Sequence, residues 1–147
     1  MLFAEKMKAQ AKAAQKRLVL AEGSEERTIK AARIIADERL ASEVILIGSK
    51  AEIEAAASAS STSLKGLTLV DPIKSDQRKK YATEFYELRK HKGMTEEQAF
   101  EDIANPLRFG AMMVRLGAGD AMVAGAENTT AAVLVAAFNI IKTAPGI

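Results

Sequence analysis

The chain has 147 residues, the length of one domain, and at 48% hydrophobic it can fill a core of ordinary size. Its 21 basic and 19 acidic residues are intermixed and leave a formal charge of +2, which gives no electrostatic case for binding nucleic acid or a membrane surface. The absence of cysteine excludes disulfides, thiolate metal sites and a cysteine nucleophile, while a single histidine, His91, excludes a His-rich zinc site and argues against a Ser-His-Asp triad.

Phe3, Met7, Ala11 and Ala14 recur at helical spacing among Lys and Gln, so the N-terminal stretch reads as an amphipathic helix without the apolar core of a signal peptide. No apolar run approaches the ~20 residues that a membrane span needs, and a soluble cytoplasmic domain is expected. Arg17–Gly23 is a short apolar run closed by glycine, the pattern of a buried strand. The next segment reads as a helix with Ser24 as its N-cap, Glu25 and Glu26 in its first turn, and Ile29, Ala32 and Ala36 on its buried face. Glu43–Gly48 holds four consecutive aliphatics, as in a strand of a parallel sheet buried on both faces. A short helix capped by Ser49, a polar Ser-rich loop and a third strand over Leu67–Pro72 follow.

Two long helices come next. Tyr81, Phe85 and Leu88 mark the first, which Gly93 ends after a basic turn. The second starts at Thr95 with a capping-box pattern and carries Phe100, Ile103, Leu107, Ala111 and Val114 as one stripe to Gly117 or Gly119. Asp120–Glu127 reads as a fourth strand and Thr129–Thr143 as the last helix. Strands alternating with helices predict one α/β domain, residues 1–147, with a mainly parallel sheet flanked by helices. The chain stops after a helix terminator, where this alternation calls for another strand, so the sequence is expected to be the N-terminal part of something longer.

In open parallel sheets, ligands sit beyond the carboxyl ends of the strands, at helix N-termini. The stretch "AMVAGAENTT" lies at such a junction. Gly125 lets a ligand approach the backbone, and Asn128, Thr129 and Thr130 offer an N-cap and, with the exposed N–H groups, a site for phosphate. Plain capping explains the same residues. Arg27, in the first turn of its helix, opposes the helix dipole, which suggests an ion pair with Glu22 before a ligand contact. Arg89 flanks the stripe of Phe85, where a guanidinium either serves a phosphate or carboxylate or pairs with a surface acid. Arg108 and Arg115 read as surface ion pairs, and Asp71 as either a ligand group or the turn residue before Pro72. No metal-binding cluster and no glycine-rich phosphate loop is visible.

The segments "LAEGSEERTIKAARI", "EVILIGSKAEIEA", "FYELRKHKGMTEEQA" and "GAENTTAAVLVAAFNIIKTAPG" resemble the phosphate acetyltransferase (phosphotransacetylase) family over almost the whole chain. The resemblance implies the first domain of a two-domain enzyme, a three-layer fold akin to the first domain of isopropylmalate dehydrogenase. It implies transfer of an acetyl group between acetyl phosphate and coenzyme A, releasing or consuming inorganic phosphate. Coenzyme A is then a substrate, no cofactor is bound covalently, and no metal is needed. A cytoplasmic enzyme, homodimeric at full length, is the corresponding expectation. Arg89 matches the family's substrate-binding arginine, and Thr129 and Thr130 match its hydroxyl pair. Arg27 stands where the family has an arginine of less clear role. Val135 replaces a second substrate-binding arginine, so either Arg108 or Arg115 compensates, or substrate affinity is reduced, or the variation is tolerated. The family's catalytic serine, arginine and aspartate belong to its second domain, so no catalytic residue is assigned here and the chain alone is expected to be inactive. Two alternatives stay open: a phosphate butyryltransferase, and a non-catalytic module that senses acetyl-CoA.

Overall fold

The computed structural model describes residues 2–147. In chain order it forms α1 (Phe3–Ala14), β1 (Arg17–Leu20), α2 (Glu26–Asp37), β2 (Glu43–Ile47), α3 (Lys50–Ala59), β3 (Thr68–Val70), α4 (Arg78–Arg89), α5 (Glu96–Asp102), α6 (Pro106–Arg115), β4 (Ala121–Val123) and α7 (Thr130–Ala136). A single 3₁₀ turn over Lys90–Lys92 extends α4, and a π turn over Ala137–Ile141 extends α7.

The four strands make one parallel sheet in the order β3-β2-β1-β4. Successive side chains of a strand point to opposite faces, and here both faces are apolar. Val19, Ile45 and Ile47 meet α4, α5, α6 and the π turn through Tyr81, Phe85, Ile103, Phe109, Met112 and Ile140. Leu20, Val44 and Leu46 meet α2 and α3 through Ile29, Ala32, Ile53 and Ala57. Each of the fully buried aliphatics among them stabilises the fold by about 1.5–3 kcal/mol. Continuous aliphatic runs are what a sheet covered on both faces requires. The expected three-layer α/β architecture is the one found.

Several element boundaries differ from the sequence reading. Helix α2 is capped by Glu25, whose carboxylate accepts from the Thr28 amide at 3.0 Å, rather than by Ser24. Ser49 and the Thr95–Gln98 capping box act as expected. The long helix expected from Thr95 is two helices. Pro106 has no N–H and its ring excludes a preceding helical turn, so Asn105 caps a new helix by accepting from the amides of Leu107 and Arg108. Phe100, placed on the buried stripe, is partly exposed and lies instead under the Arg78 guanidinium, 3.9 Å from its ring centre.

Candidate functional site

The connection leaving β1 runs toward β2, whereas β4 lies on the other side of β1, so the loops after β1 and β4 diverge at a switch point. Glu22 sits there, only 5% exposed. Its carboxylate is wrapped by the loop that follows β4. Oε1 accepts from the amides of Gly125 (2.7 Å) and Ala126 (2.9 Å), and Oε2 accepts from the amides of Glu127 (2.6 Å) and Asn128 (2.6 Å). The Asn128 side-chain amide adds a fifth donor at 3.0 Å. Gly125, at φ +121°, takes a conformation that side-chain-bearing residues rarely adopt, and this turns four successive N–H groups to one side.

Burial alone would raise the Glu22 carboxyl, but the four backbone hydrogen bonds outweigh it and hold its pKa at about 2. The amides of "AGAENTT" thus close around the chain's own carboxylate. The amides of Gly125 and Asn128, expected to be exposed for phosphate, are engaged inside the protein.

Beside Glu22 opens a crevice of about 360 Å³ at the carboxyl ends of β1, β2 and β3. Glu22, Glu52, Asp71 and Glu127 line it, and no Lys, Arg or His does. A phosphoryl group entering there meets negative charge without a cation to offset it. Asp71 accepts from the Ile73 amide at 3.0 Å, which makes it the turn residue before Pro72. Among the described residues no group of three or more His, Cys, Asp and Glu is arranged to hold a metal ion. No helix of the described residues is long and apolar enough to cross a membrane.

Arg27 does not pair with Glu22. Its Nε donates to Glu25 at 2.7 Å and its Nη2 to the Ala126 carbonyl at 2.5 Å, because the Glu22 oxygens already face the amides. The arginine thus clips the loop that wraps Glu22. Thr129 caps α7, accepting from the Ala132 amide at 3.1 Å, and Thr130 begins the helix with its side chain in solvent. Arg115 pairs with Glu84 at 3.1 Å and donates to the Ile140 carbonyl at 3.2 Å, so it is engaged and does not stand in for the missing cation at Val135. Arg108 forms no ion pair among the described residues, in contrast to the expectation for it.

Arg89 ends α4 and is half-buried. It forms no ion pair among the described residues. Its side chain instead meets a neutral group: Nη1 donates to Asn139 Oδ1 at 3.3 Å. Asn139 lies in the π turn nine residues beyond Thr130, about 13 Å along the axis at 1.5 Å per residue. Asn139, the partner of Arg89, and the Thr129–Thr130 cap thus stand toward opposite ends of one helical rod. Val135, one turn before Asn139, is 50% exposed. Asn139 is the residue that the sequence reading missed; a polar residue between Phe138 and Ile140 in an apolar helix was the signal for it.

Residues 2–147 match the family described as phosphate acetyl/butaryl transferase. The chain is 46% identical over its full length to a phosphate acetyltransferase of Treponema pallidum, covering 44% of that protein. It is 47% identical over 92% of its length to a phosphate acetyltransferase of Thermoanaerobacterium thermosaccharolyticum, covering 40% of it. Among solved structures, a phosphotransacetylase from Streptococcus pyogenes superposes with a TM-score of 0.90 at 30% identity, over all of this chain and 45% of that one. The chain therefore spans less than half the length of each of these proteins.

Proposed function

The chain belongs to the phosphate acetyl/butaryl transferase family, and from that premise we propose that it is the N-terminal half of a cytoplasmic phosphate acetyltransferase. In the reaction, the thiolate of coenzyme A attacks the carbonyl carbon of acetyl phosphate. The C–S bond forms, the bond from carbonyl carbon to phosphoryl oxygen breaks, and inorganic phosphate leaves. Such a transfer needs cations on the phosphoryl group and a base for the thiol.

Within this chain the cation is Arg89, and one observation carries the assignment: a half-buried guanidinium fixed by a neutral amide, with no carboxylate among the described residues pairing with it. The acidic crevice at the strand ends is unsuited to the same role. Gly125 and Asn128 act by locking the loop onto Glu22, Arg27 by clipping it, and Thr129 and Thr130 by setting the start of α7, so their part in substrate binding is to place that helix. The thiol base and most of the coenzyme A site belong to the part of the longer relatives that this chain does not span.

In the full-length protein, Arg89→Ala is expected to raise KM for acetyl phosphate by about tenfold or more, the loss of a charge-assisted contact of ~1.5–3 kcal/mol, with the thermal midpoint unchanged within a few degrees. An unchanged KM removes Arg89 from the site. The 147-residue chain by itself is expected to form no acetyl-CoA from coenzyme A and acetyl phosphate, and measurable turnover would show that it carries its own base. A second reading, transfer of a butyryl group, draws support from Val135, which sets an exposed aliphatic surface beside the Arg89–Asn139 pair. Comparing acetyl and butyryl phosphate as substrates of the full-length protein separates the two.

A further inference from the structure

We propose that Asn139 is a positioning residue: its side-chain oxygen, presented by the π turn that ends α7, holds the Arg89 guanidinium toward an anionic phosphoryl group on the face of α7 that carries Val135. The inference rests on the assignment of Arg89 made above.

The first support is the choice of partner. Arg17, Arg27, Arg33, Arg78 and Arg115 each approach a carboxylate, while Arg39 and Arg108 form no ion pair among the described residues and are held by no amide either. Arg89 instead donates to an amide oxygen. A carboxylate in that place would fix the guanidinium equally well and neutralise it. An amide fixes one N–H and leaves the full positive charge, together with the remaining N–H donors of the fork, for a ligand.

The second support is the backbone. Between Ala137 and Ile141 the helix takes an i→i+5 pattern, closed by the Lys142 amide donating to the Ala137 carbonyl at 2.9 Å. Such turns are rare, and they concentrate at functional sites because the extra residue re-aims the side chains around it. This one is anchored at Ile140, the residue next to Asn139. Ile140 is fully buried against the cluster that contains Phe85 of α4, and its carbonyl accepts from Arg115 at 3.2 Å. The Asn139 backbone is thereby fixed relative to α4, the helix that bears Arg89.

The third support is the surroundings. Val135 and Phe138 are 50% and 56% exposed, so this side of the rod is open to a ligand. The acidic residues of the crevice gather at the carboxyl ends of the strands, near the other end of α7.

The test is a titration of the 147-residue chain with inorganic phosphate, following the Arg89 Nε–H resonance by NMR and assigning it with Arg89→Lys. The wild-type resonance should shift saturably. Asn139→Asp, which pairs Arg89 with a carboxylate, should weaken phosphate binding by about tenfold or more, and Asn139→Ala by about three- to tenfold, with thermal midpoints near that of the wild type. A purely structural role would lower the thermal midpoint and leave phosphate affinity alone. If Asn139→Asp binds phosphate as the wild type does, the positioning role of Asn139 is wrong while Arg89 keeps its assignment. If the wild-type Arg89 resonance ignores phosphate altogether, the assignment of Arg89 falls and the role of Asn139 falls with it.

Discussion

Glu22 explains why the chain turns abruptly from small apolar residues to Gly-Ala-Glu-Asn. A carboxylate taken out of water needs donors for both oxygens, and a loop able to turn four amides inward supplies them. Replacing one oxygen by an NH₂ group sets donor against donor. Glu22→Gln should therefore destabilise the fold by about 2–4 kcal/mol, since two of the amides lose their acceptor and a charge-assisted set becomes neutral. Urea unfolding of the two proteins side by side measures it, and a loss below ~1 kcal/mol would mean that water reaches the loop. At this scale the sequence was legible in kind but not in pairing. A glycine followed by a cap pointed to exposed amides and a phosphate, yet nothing in the order of residues told that the amides would close on a glutamate some hundred positions earlier. Arg27 shows the same limit: its partner proved to be Glu25, two residues away, because Glu22 was already claimed.

At the level of elements, apolar periodicity located the strands and most helices, because a sheet covered on both faces leaves long aliphatic runs and amphipathic helices leave stripes. It failed where a stripe continued through a break. Phe100, Ile103, Leu107 and Ala111 keep helical spacing across α5 and α6, and the dipeptide Asn105-Pro106 was the overriding signal. If Asn105 starts the second helix as the hydrogen bonds indicate, Asn105→Ala should cost about 0.5–2 kcal/mol, whereas Asn105→Asp should restore most of it. Equal losses for both variants would assign the effect to something other than the cap. The π turn left no comparable mark, since an i→i+5 turn is selected by what packs beneath it, here Ile140, and not by local propensity.

At the scale of the whole molecule, β4 is, like β3, a short edge strand exposed to loss. It is three residues long and pairs only with β1, and a carboxylate at each of its ends fastens it there. Near its start, Asp120 accepts from the Arg17 amide at 2.8 Å and pairs with the Arg17 guanidinium at 3.0 Å. Beyond its end, Glu22 accepts from the loop amides. The Arg17 hydrogen bonds bring the Asp120 carboxyl down to about 2, and the loop amides, against the opposing effect of burial, bring Glu22 to about 2. Both pKa values are depressed on folding, from the ordinary 4.5 for Glu22 and 3.8 for Asp120, so both contributions are fully present above those values and are lost as pH falls toward 2. The fold should therefore lose stability over that window, and it should lose it first at one edge. Hydrogen-exchange protection factors of the amides from Ala121 to Asn128 are expected to fall between pH 5 and pH 3 by more than those of Glu43–Ile47, which lie in the sheet interior with neighbours on both sides. Asp120→Asn should flatten the pH dependence for β4 while leaving the Glu22 loop responsive. A uniform loss across all four strands would instead show that the sheet opens as one unit and that the two carboxylates secure the whole fold rather than its edge.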